Sequence, residues 1–177
     1  MAVNHLSLVN QKMAFANAIL QKLDISDSEL SSKQKLEQQA LKDAVIFHLI
    51  TALHFYLREL AENCRIKNLI QINSIEDLIG ALSQADRVSS EAEELSDLSQ
   101  TADSWLSYLL QYQNQLLKSP EKPKEKKSFG QDNLIELVEV FESDINKCPE
   151  LTPQLLTSWF DSFRVLIMRQ RETSAEF

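Results

Sequence analysis

The chain contains very few of the residues that make tight turns. Only two of its 177 residues are glycine and four are proline, and residues 1–119 contain no proline. Antiparallel sheets depend on short hairpin turns, and such turns favour glycine, Asn-Gly and Asp-Gly pairs that are scarce or missing here. Hydrophobic residues instead recur every three or four positions, which is typical of amphipathic helices. The sequence therefore predicts an all-α fold, an antiparallel four-helix-type bundle with two additional C-terminal helices.

The first two predicted helices form the start of this bundle. One helix is expected over residues 4–23, and a second from about residue 33 to residue 67. The second helix is apolar on nearly every side after Ala44, which predicts that it lies at the centre of the bundle. Residues 66–73 are interpreted as a loop.

Capping patterns mark where the next two helices begin. Ser74 and Asp77 form a capping arrangement that opens a third helix. Ser90 and Glu93 form a capping box for a fourth helix, where acidic residues in the first turn suit the helix dipole. The three-four spacing then continues through residue 117, so a single long helix is predicted there.

The C-terminal third of the chain is divided by its composition. Residues 118–130 contain two prolines and five lysines, and we interpret them as a linker. Two further helices are predicted within residues 131–177, the second with Thr152 as N-cap and Pro153 at the first helical position. We expect this pair to pack on the bundle formed by residues 1–117, giving one structural domain overall.

The charge distribution limits the partners of the protein. The net charge is −8, which argues against a general binder of nucleic acid or of anionic membranes. Residues 74–104 carry eight acidic residues and one basic residue. This acidic segment is interpreted either as a binding surface for a basic partner or as a solvated helix face with glutamates placed for capping.

A cytoplasmic location is expected from the cysteines and from the N-terminus. Cys64 and Cys148 form no metal-binding or redox spacing and are interpreted as free thiols. The first 20 residues contain no unbroken apolar stretch, so no signal peptide is expected. Residues 44–61 are apolar at 13 of 18 positions, but Arg58 and Glu59 favour a buried central helix over a membrane span.

A polar stripe on the second helix is the candidate ligand-binding site. Thr51, His54 and Arg58 fall within about 80° of one another on a helical wheel, together with Glu62, and His48 lies on the other side of Thr51. Such a stripe could hold a ligand or a catalytic histidine, or it could be the polar side of a packed helix. The candidate ligand-binding residues, including two from the first helix, are Asn10, Lys12, His48, Thr51, His54 and Arg58.

Several enzyme and cofactor classes are not supported. The chain contains no Glu-x-x-His motif for a di-metal bundle, and its two glycines cannot build a phosphate-binding loop. No catalytic residue, metal site or cofactor is therefore predicted, and enzymatic activity is left open but not favoured.

Two aromatic clusters are the candidate interface residues. They consist of Trp105, Tyr108 and Tyr112 in one segment and of Trp159 and Phe163 in another. Neither cluster is interleaved with the basic residues that base stacking would need. Trp and Tyr dominate protein–protein hot spots, although core anchors would show the same spacing.

One combination of motifs resembles a known family. The segment Asn10-Gln11-Lys12 with Phe15, the Phe47-His48-Leu49 helix and a later Trp105-Leu106 are similar to those of an uncharacterised bacterial family of short all-helical proteins, a domain of unknown function. The resemblance covers most of residues 8–119. It implies no activity, and adds only that residues 10, 11, 12 and 48 belong to the shared pattern.

The sequence favours one function and leaves a second open. Long amphipathic stripes without a catalytic constellation favour a non-enzymatic protein–protein interaction or structural module, whose partner is another protein or a second copy of the chain. The alternative is a small-ligand-binding or enzymatic bundle that uses the polar stripe.

Overall fold

The computed structural model describes residues 4–23, 31–117 and 148–175. Within these residues the chain is helical and contains no strand, so the predicted all-α class is confirmed. The helices are α1 (His5–Leu20), α2 (Ser32–Asn63), α3 (Ile75–Gln84), α4 (Ser90–Gln100), α5 (Trp105–Leu117) and α6 (Pro153–Ala175), with a 3₁₀ turn at Leu69–Gln71.

Helix α2 lies at the centre of the described structure, because it contacts all five other helices. Its buried residues all lie between Val45 and Ala61, and no residue from 32 to 44 is buried. The helix is long and apolar enough to cross a membrane by length and composition. Most of its apolar side chains from Val45 onward, with the exception of Phe47, pack into the core formed with the other helices, as expected for the central helix of a bundle.

Helix α1 packs along the second half of α2 in the antiparallel sense. The Asn4 side chain caps α1 by accepting a hydrogen bond from the backbone N–H of Ser7. At this end of the pair, His5 Nδ1 lies 3.0 Å from Glu62 Oε2. At the other end, the rings of Phe15 and His48 are in contact.

The prediction of one continuous helix from Ser90 to residue 117 is wrong. The helix breaks at residues 101–104, where Asp103 has a left-handed backbone conformation with φ of 63°. The Ser104 hydroxyl accepts a hydrogen bond from the backbone N–H of Ser107 and so caps a new helix. Short polar side chains compete for backbone hydrogen bonds, and here they override the apolar spacing.

The predicted capping box at Ser90 is displaced by one residue. The N-cap of α4 is Ser89, whose hydroxyl accepts a hydrogen bond from the backbone N–H of Ala92. The capping box of α3 is present as predicted, because the Ser74 hydroxyl accepts from Asp77 N and the Asp77 carboxylate accepts from Ser74 N.

Helices α2 and α3 end in the same way, with a residue that is not glycine in the left-handed conformation. These residues are Arg65, with φ of 57°, and Asp86, with φ of 52°. The residue that follows each of them, Ile66 or Arg87, donates its backbone N–H to the carbonyl oxygen five residues earlier. This is the Schellman motif, which ends α2 four residues before the predicted boundary.

The start of α6 agrees with the sequence. Thr152 Oγ1 accepts a hydrogen bond from the backbone N–H of Leu155, and Pro153 is the first helical residue. Helix α6 contacts α1, α2 and α5. The predicted linker at 118–130 and the first predicted C-terminal helix, before residue 148, lie outside the described residues.

Candidate functional site

A network of polar side chains joins α6 to α2 and α1. The Arg171 guanidinium donates two hydrogen bonds to the Glu59 carboxylate, at 2.8 Å from Nε and 2.7 Å from Nη2. Its Nη1 also donates to Asn10 Oδ1 at 2.9 Å. The Glu59 side chain is only 8% exposed, so this bidentate pair is what allows its charge to be buried.

The same network continues toward α4 through a buried tyrosine. The Tyr56 hydroxyl donates to Gln170 Oε1 at 2.7 Å, and Gln170 Nε2 donates to Glu94 Oε2 at 2.7 Å. Burial, with a further contribution from the Glu59 charge, raises the pKa of Tyr56 well above its usual range. We call Asn10, Tyr56, Glu59, Glu94, Gln170 and Arg171 the buried polar network. These hydrogen bonds join side chains of α1, α2, α4 and α6 and hold the four helices together.

A different surface lies at the other end of the α1–α2 pair. The His48 ring contacts Phe15 and Phe47 edge-on, each with ring centroids 5.5 Å apart. The Lys12 ammonium lies 5.6 Å from the centre of the Phe15 ring. Phe15 is 44% exposed and Phe47 is 61% exposed, so both rings present much of their area to solvent.

The exposed apolar surface extends from Phe47 toward the N-terminus of α2. Leu36, which is 72% exposed, and Ala40, also exposed, lie within about 40° of Phe47 around the helix axis. We call Phe15, Leu36, Ala40, Phe47 and His48 the outer patch. Sequence reasoning missed the patch, although the shared helical face of residues 36, 40 and 47 was the signal that could have revealed it.

His48 stands at the border between the outer patch and the core. Its Nδ1 is buried and is the one buried side-chain nitrogen or oxygen without a hydrogen-bond partner among the described residues. Burial, and secondly the nearby Lys12 charge, lowers the pKa of His48. The ring is therefore neutral at pH 7, as suits a side chain placed between two phenyl rings.

The other predicted stripe residues make separate contacts. The Thr51 hydroxyl donates to the Phe47 carbonyl oxygen within the same helix. Arg58 donates to the carbonyl oxygen of Ile72 and to Asn73 Oδ1, and so holds the segment before α3. Burial, and secondly the Arg58 charge, lowers the pKa of His54.

The six predicted ligand-binding residues therefore have different partners. Asn10 belongs to the buried polar network, Lys12 and His48 lie at the outer patch, and Arg58 supports a loop. A groove of about 590 Å³ beside α3 is lined by none of the six. Ligand binding by this set stays a prediction, and the contacts explain each residue without a shared ligand.

The predicted interface aromatics pack α5 against α6. The Trp105 and Phe163 rings lie 5.4 Å apart, and Trp159 contacts both Tyr108 and Tyr112. Trp159 and Phe163 are buried within the chain, as core anchors would be, and this burial favours the core over an interface for these two residues. Trp105, Tyr108 and Tyr112 are half-buried, and their role at an interface stays a prediction.

The described residues contain no group of three or more His, Cys, Asp or Glu side chains placed to hold a metal ion. Cys64 and Cys148 are free thiols, as predicted, and both are half-buried. Burial, and secondly the Glu91 charge, raises the pKa of the Cys64 thiol, which disfavours the thiolate.

The fold and these contacts define an all-helical protein built around one central helix, with a closed polar network at one end and an exposed aromatic surface toward the other. The chain belongs to a family of unknown function, DUF6586, whose model matches residues 1–177. Searches of the curated proteins and of the solved structures found no match.

Proposed function

We propose that this protein is a non-enzymatic, cytoplasmic interaction module that pairs with a second copy of itself through the outer patch. The observation that carries the proposal is the exposed apolar face formed by Leu36, Ala40 and Phe47, extended by Phe15. Clustered large apolar side chains on a protein surface are typical of interaction sites, whereas single exposed ones need no explanation.

The composition of the patch suits a protein partner. Two phenyl rings lie near its centre, and aromatic residues are enriched where protein interfaces bury most of their area. The lowered pKa of His48 keeps the ring uncharged at neutral pH, so covering it does not bury a charge. Gln39 and Asp43, which are hydrogen-bonded to each other, border the apolar face and supply a polar rim.

The distribution of charge favours a second copy over an acidic or basic partner. Residues 1–73, which carry the patch, contain eight basic and seven acidic residues, whereas residues 74–104 carry a net charge of −7. Two copies of an acidic protein repel each other least when they approach through their most neutral region. The outer patch lies in a region that carries little net charge.

The spacing along α2 fits a two-fold arrangement. Leu36 and Phe47 are 11 positions apart, or about 16 Å along the helix, with the small side chain of Ala40 between them. If two α2 helices pack antiparallel, Leu36 of each copy lies opposite Phe47 of the other, and both contacts form at once. Such a self-complementary surface is what a two-fold dimer requires.

The test is the mass of the protein in solution, measured by sedimentation velocity over a range of concentrations. We expect the natural protein to form a dimer and the double variant Leu36→Ser/Phe47→Ser to be a monomer. The matched control is Ile70→Ser/Val88→Ser, which removes two apolar residues that are even more exposed but lie outside the patch. We expect the control to dimerise like the natural protein.

Two results would overturn the proposal. One is a monomeric natural protein at all concentrations, including the case in which cross-linking shows that residues 118–147 of the same chain cover the patch. The other is equal dimerisation by both double variants, which would place the interface elsewhere. The far-ultraviolet circular dichroism of each variant verifies that loss of the dimer is not loss of the fold.

A further inference from the structure

A groove lies between the segment that follows α2 and the outer side of α3. Its volume is about 590 Å³, within the range of small-molecule sites. Three cationic side chains line it, those of Arg65, Lys67 and Arg87. The whole protein carries a net charge of −8, so a cluster of three cationic side chains is opposite in sign to the protein as a whole.

Within the part of the chain that the structure describes, none of these three cations has a carboxylate at ion-pair distance. Arg87 acts electrostatically on the Cys64 thiol, which directly precedes Arg65 in the chain. Arg87, at the end of α3, therefore lies near the end of α2, and both Arg65 and Arg87 line the groove.

The carboxylates of the groove lie at the beginning of α3. Asp77 Oδ2 accepts hydrogen bonds from the backbone N–H groups of Asn73 and Ser74, so its charge serves the helix cap. Glu76 lies in the first turn, about 12 Å along the helix from the level of Gln84. The groove is therefore cationic at the end where α2 and α3 terminate.

The backbone at Arg65 provides a way to separate binding from folding. Arg65 has a φ of 57°, a left-handed conformation that glycine adopts without the steric cost that an arginine incurs. The Schellman motif that ends α2 accounts for this conformation, so it permits a matched substitution but is not itself evidence for a ligand. Asp86 ends α3 with the same conformation but does not line the groove, which makes it a natural control.

Gly80 lies in the wall of the groove that α3 forms. It lies inside α3, where glycine is less favourable than alanine, and a Cβ atom added there would have no neighbour within 4 Å. Packing therefore does not require glycine at this position. Its effect is to keep the side of α3 that faces the groove open.

We infer that this groove binds a small anionic ligand bearing phosphate or carboxylate groups, with Arg65, Lys67 and Arg87 as the anion-binding residues. Arginine donates paired hydrogen bonds that match either group, and the lysine adds a third positive charge. The open wall at Gly80 leaves room for the rest of the ligand.

The experiment measures binding of sodium pyrophosphate and of sodium citrate to the full-length protein by isothermal titration calorimetry at constant ionic strength. We expect one binding site for at least one probe. Pyrophosphate alone would identify phosphate groups as the recognised chemistry, and citrate alone would identify carboxylates. Arg65→Gly and Arg87→Gln should each weaken binding roughly tenfold or more, because each removes hydrogen bonds to a charged group.

Matched variants separate binding from folding. Arg65→Gly relieves the left-handed conformation, so its melting temperature should not fall, and weaker binding then cannot be attributed to unfolding. Asp86→Gly relieves the same conformation outside the groove and should bind the probe at least as tightly as the natural protein. Gly80→Leu should block binding while α3 remains folded.

The inference is overturned if neither probe binds at millimolar concentration. It is also overturned if Arg65→Gly and Arg87→Gln bind the probe as tightly as the natural protein. The cations would then serve only to balance the negative C-terminal ends of α2 and α3.

Discussion

The two halves of α2 belong to one helix but have opposite surroundings. From Val45 onward most of the helix, though not Phe47, is enclosed by the other helices, and its buried carboxylate, Glu59, is bound by Arg171. Before Val45 no residue is buried, and Leu36 and Ala40 face solvent. The enclosed half shows that the chain pairs its own polar groups where its helices pack together. The exposed half carries apolar side chains that the core of the chain does not explain.

Among the polar contacts, the largest effect is expected from breaking the ion pair in the enclosed half of α2, from Val45 onward. Arg171→Met leaves the Glu59 carboxylate buried without its partner, and we expect the free energy of unfolding to fall by about 3 kcal/mol. Urea denaturation followed by circular dichroism measures this change. The double variant Glu59→Leu/Arg171→Met removes both charges and should recover most of the loss.

Arg164→Met is the control for that substitution. Arg164 pairs with Asp161 on the exposed side of α6, where ion pairs contribute less than about 1 kcal/mol. If Arg171→Met costs no more than Arg164→Met, the buried polar network is not what holds α6 to α2.

A smaller effect is expected from removing one hydroxyl of the network. Tyr56→Phe leaves Gln170 Oε1 without the hydrogen bond that the buried phenol donates, and should lower the free energy of unfolding by about 1 kcal/mol. Thermal unfolding of the variant measures it. Tyr108→Phe, whose hydroxyl donates to Asp103 in an exposed contact, should change stability less. Equal effects of the two substitutions would contradict the expectation that a buried hydrogen bond contributes more to stability than an exposed one.

The dependence of stability on pH tests the two histidines of α2. Their pKa values are lowered in the folded protein, His48 and His54 by burial first and by a nearby cation second. The unfolded chain therefore binds more protons, and stability must fall as the pH drops below about 6.5 toward the lowered values.

The measurement compares urea midpoints at several pH values between 5 and 7.5. Because both rings are partly exposed, we expect a shift smaller than the effect of Tyr56→Phe. The double variant His48→Gln/His54→Gln should flatten the profile over this interval. A profile that keeps its slope in the variant would assign the pH dependence to other groups.

The smallest effect on stability is expected in the exposed half of α2, before Val45. Leu36→Ser should change the free energy of unfolding of the monomer by no more than about 0.5 kcal/mol, because the side chain is already 72% exposed. Leu49→Ser, in the buried half, should be severely destabilising. Denaturation at low protein concentration measures both, and a large loss in Leu36→Ser would mean that the outer patch supports the fold of the single chain.

The helices were predictable from sequence because their signals are local. The caps at Ser74 and Thr152 and the three-four spacing of apolar residues act within one or two turns. The break at Asp103 was missed because the apolar spacing continues across it, while short polar side chains decide the backbone there. Apolar periodicity alone does not distinguish one long helix from two helices in series.

The candidate site was only partly predictable. The predicted polar stripe contains His48, whose buried Nδ1 lacks a partner within the described residues, but the two exposed phenylalanines beside it were not selected. Periodicity states which residues share a face, but not whether another helix covers that face. Trp159 shows the reverse case, because its spacing suited either a core anchor or an interface residue, and in the structure α5 covers it.

The sequence by itself determined the all-helical class, the central position of α2 and most helix starts, since these follow from composition, periodicity and local capping. Only the tertiary structure decided the pairing of Glu59 with Arg171, which are 112 positions apart, and the exposure of Leu36 and Phe47. The physical reason is the distance along the chain over which each interaction acts. A capping hydrogen bond joins neighbouring residues, whereas burial and long-range ion pairs depend on which helices meet in the folded chain.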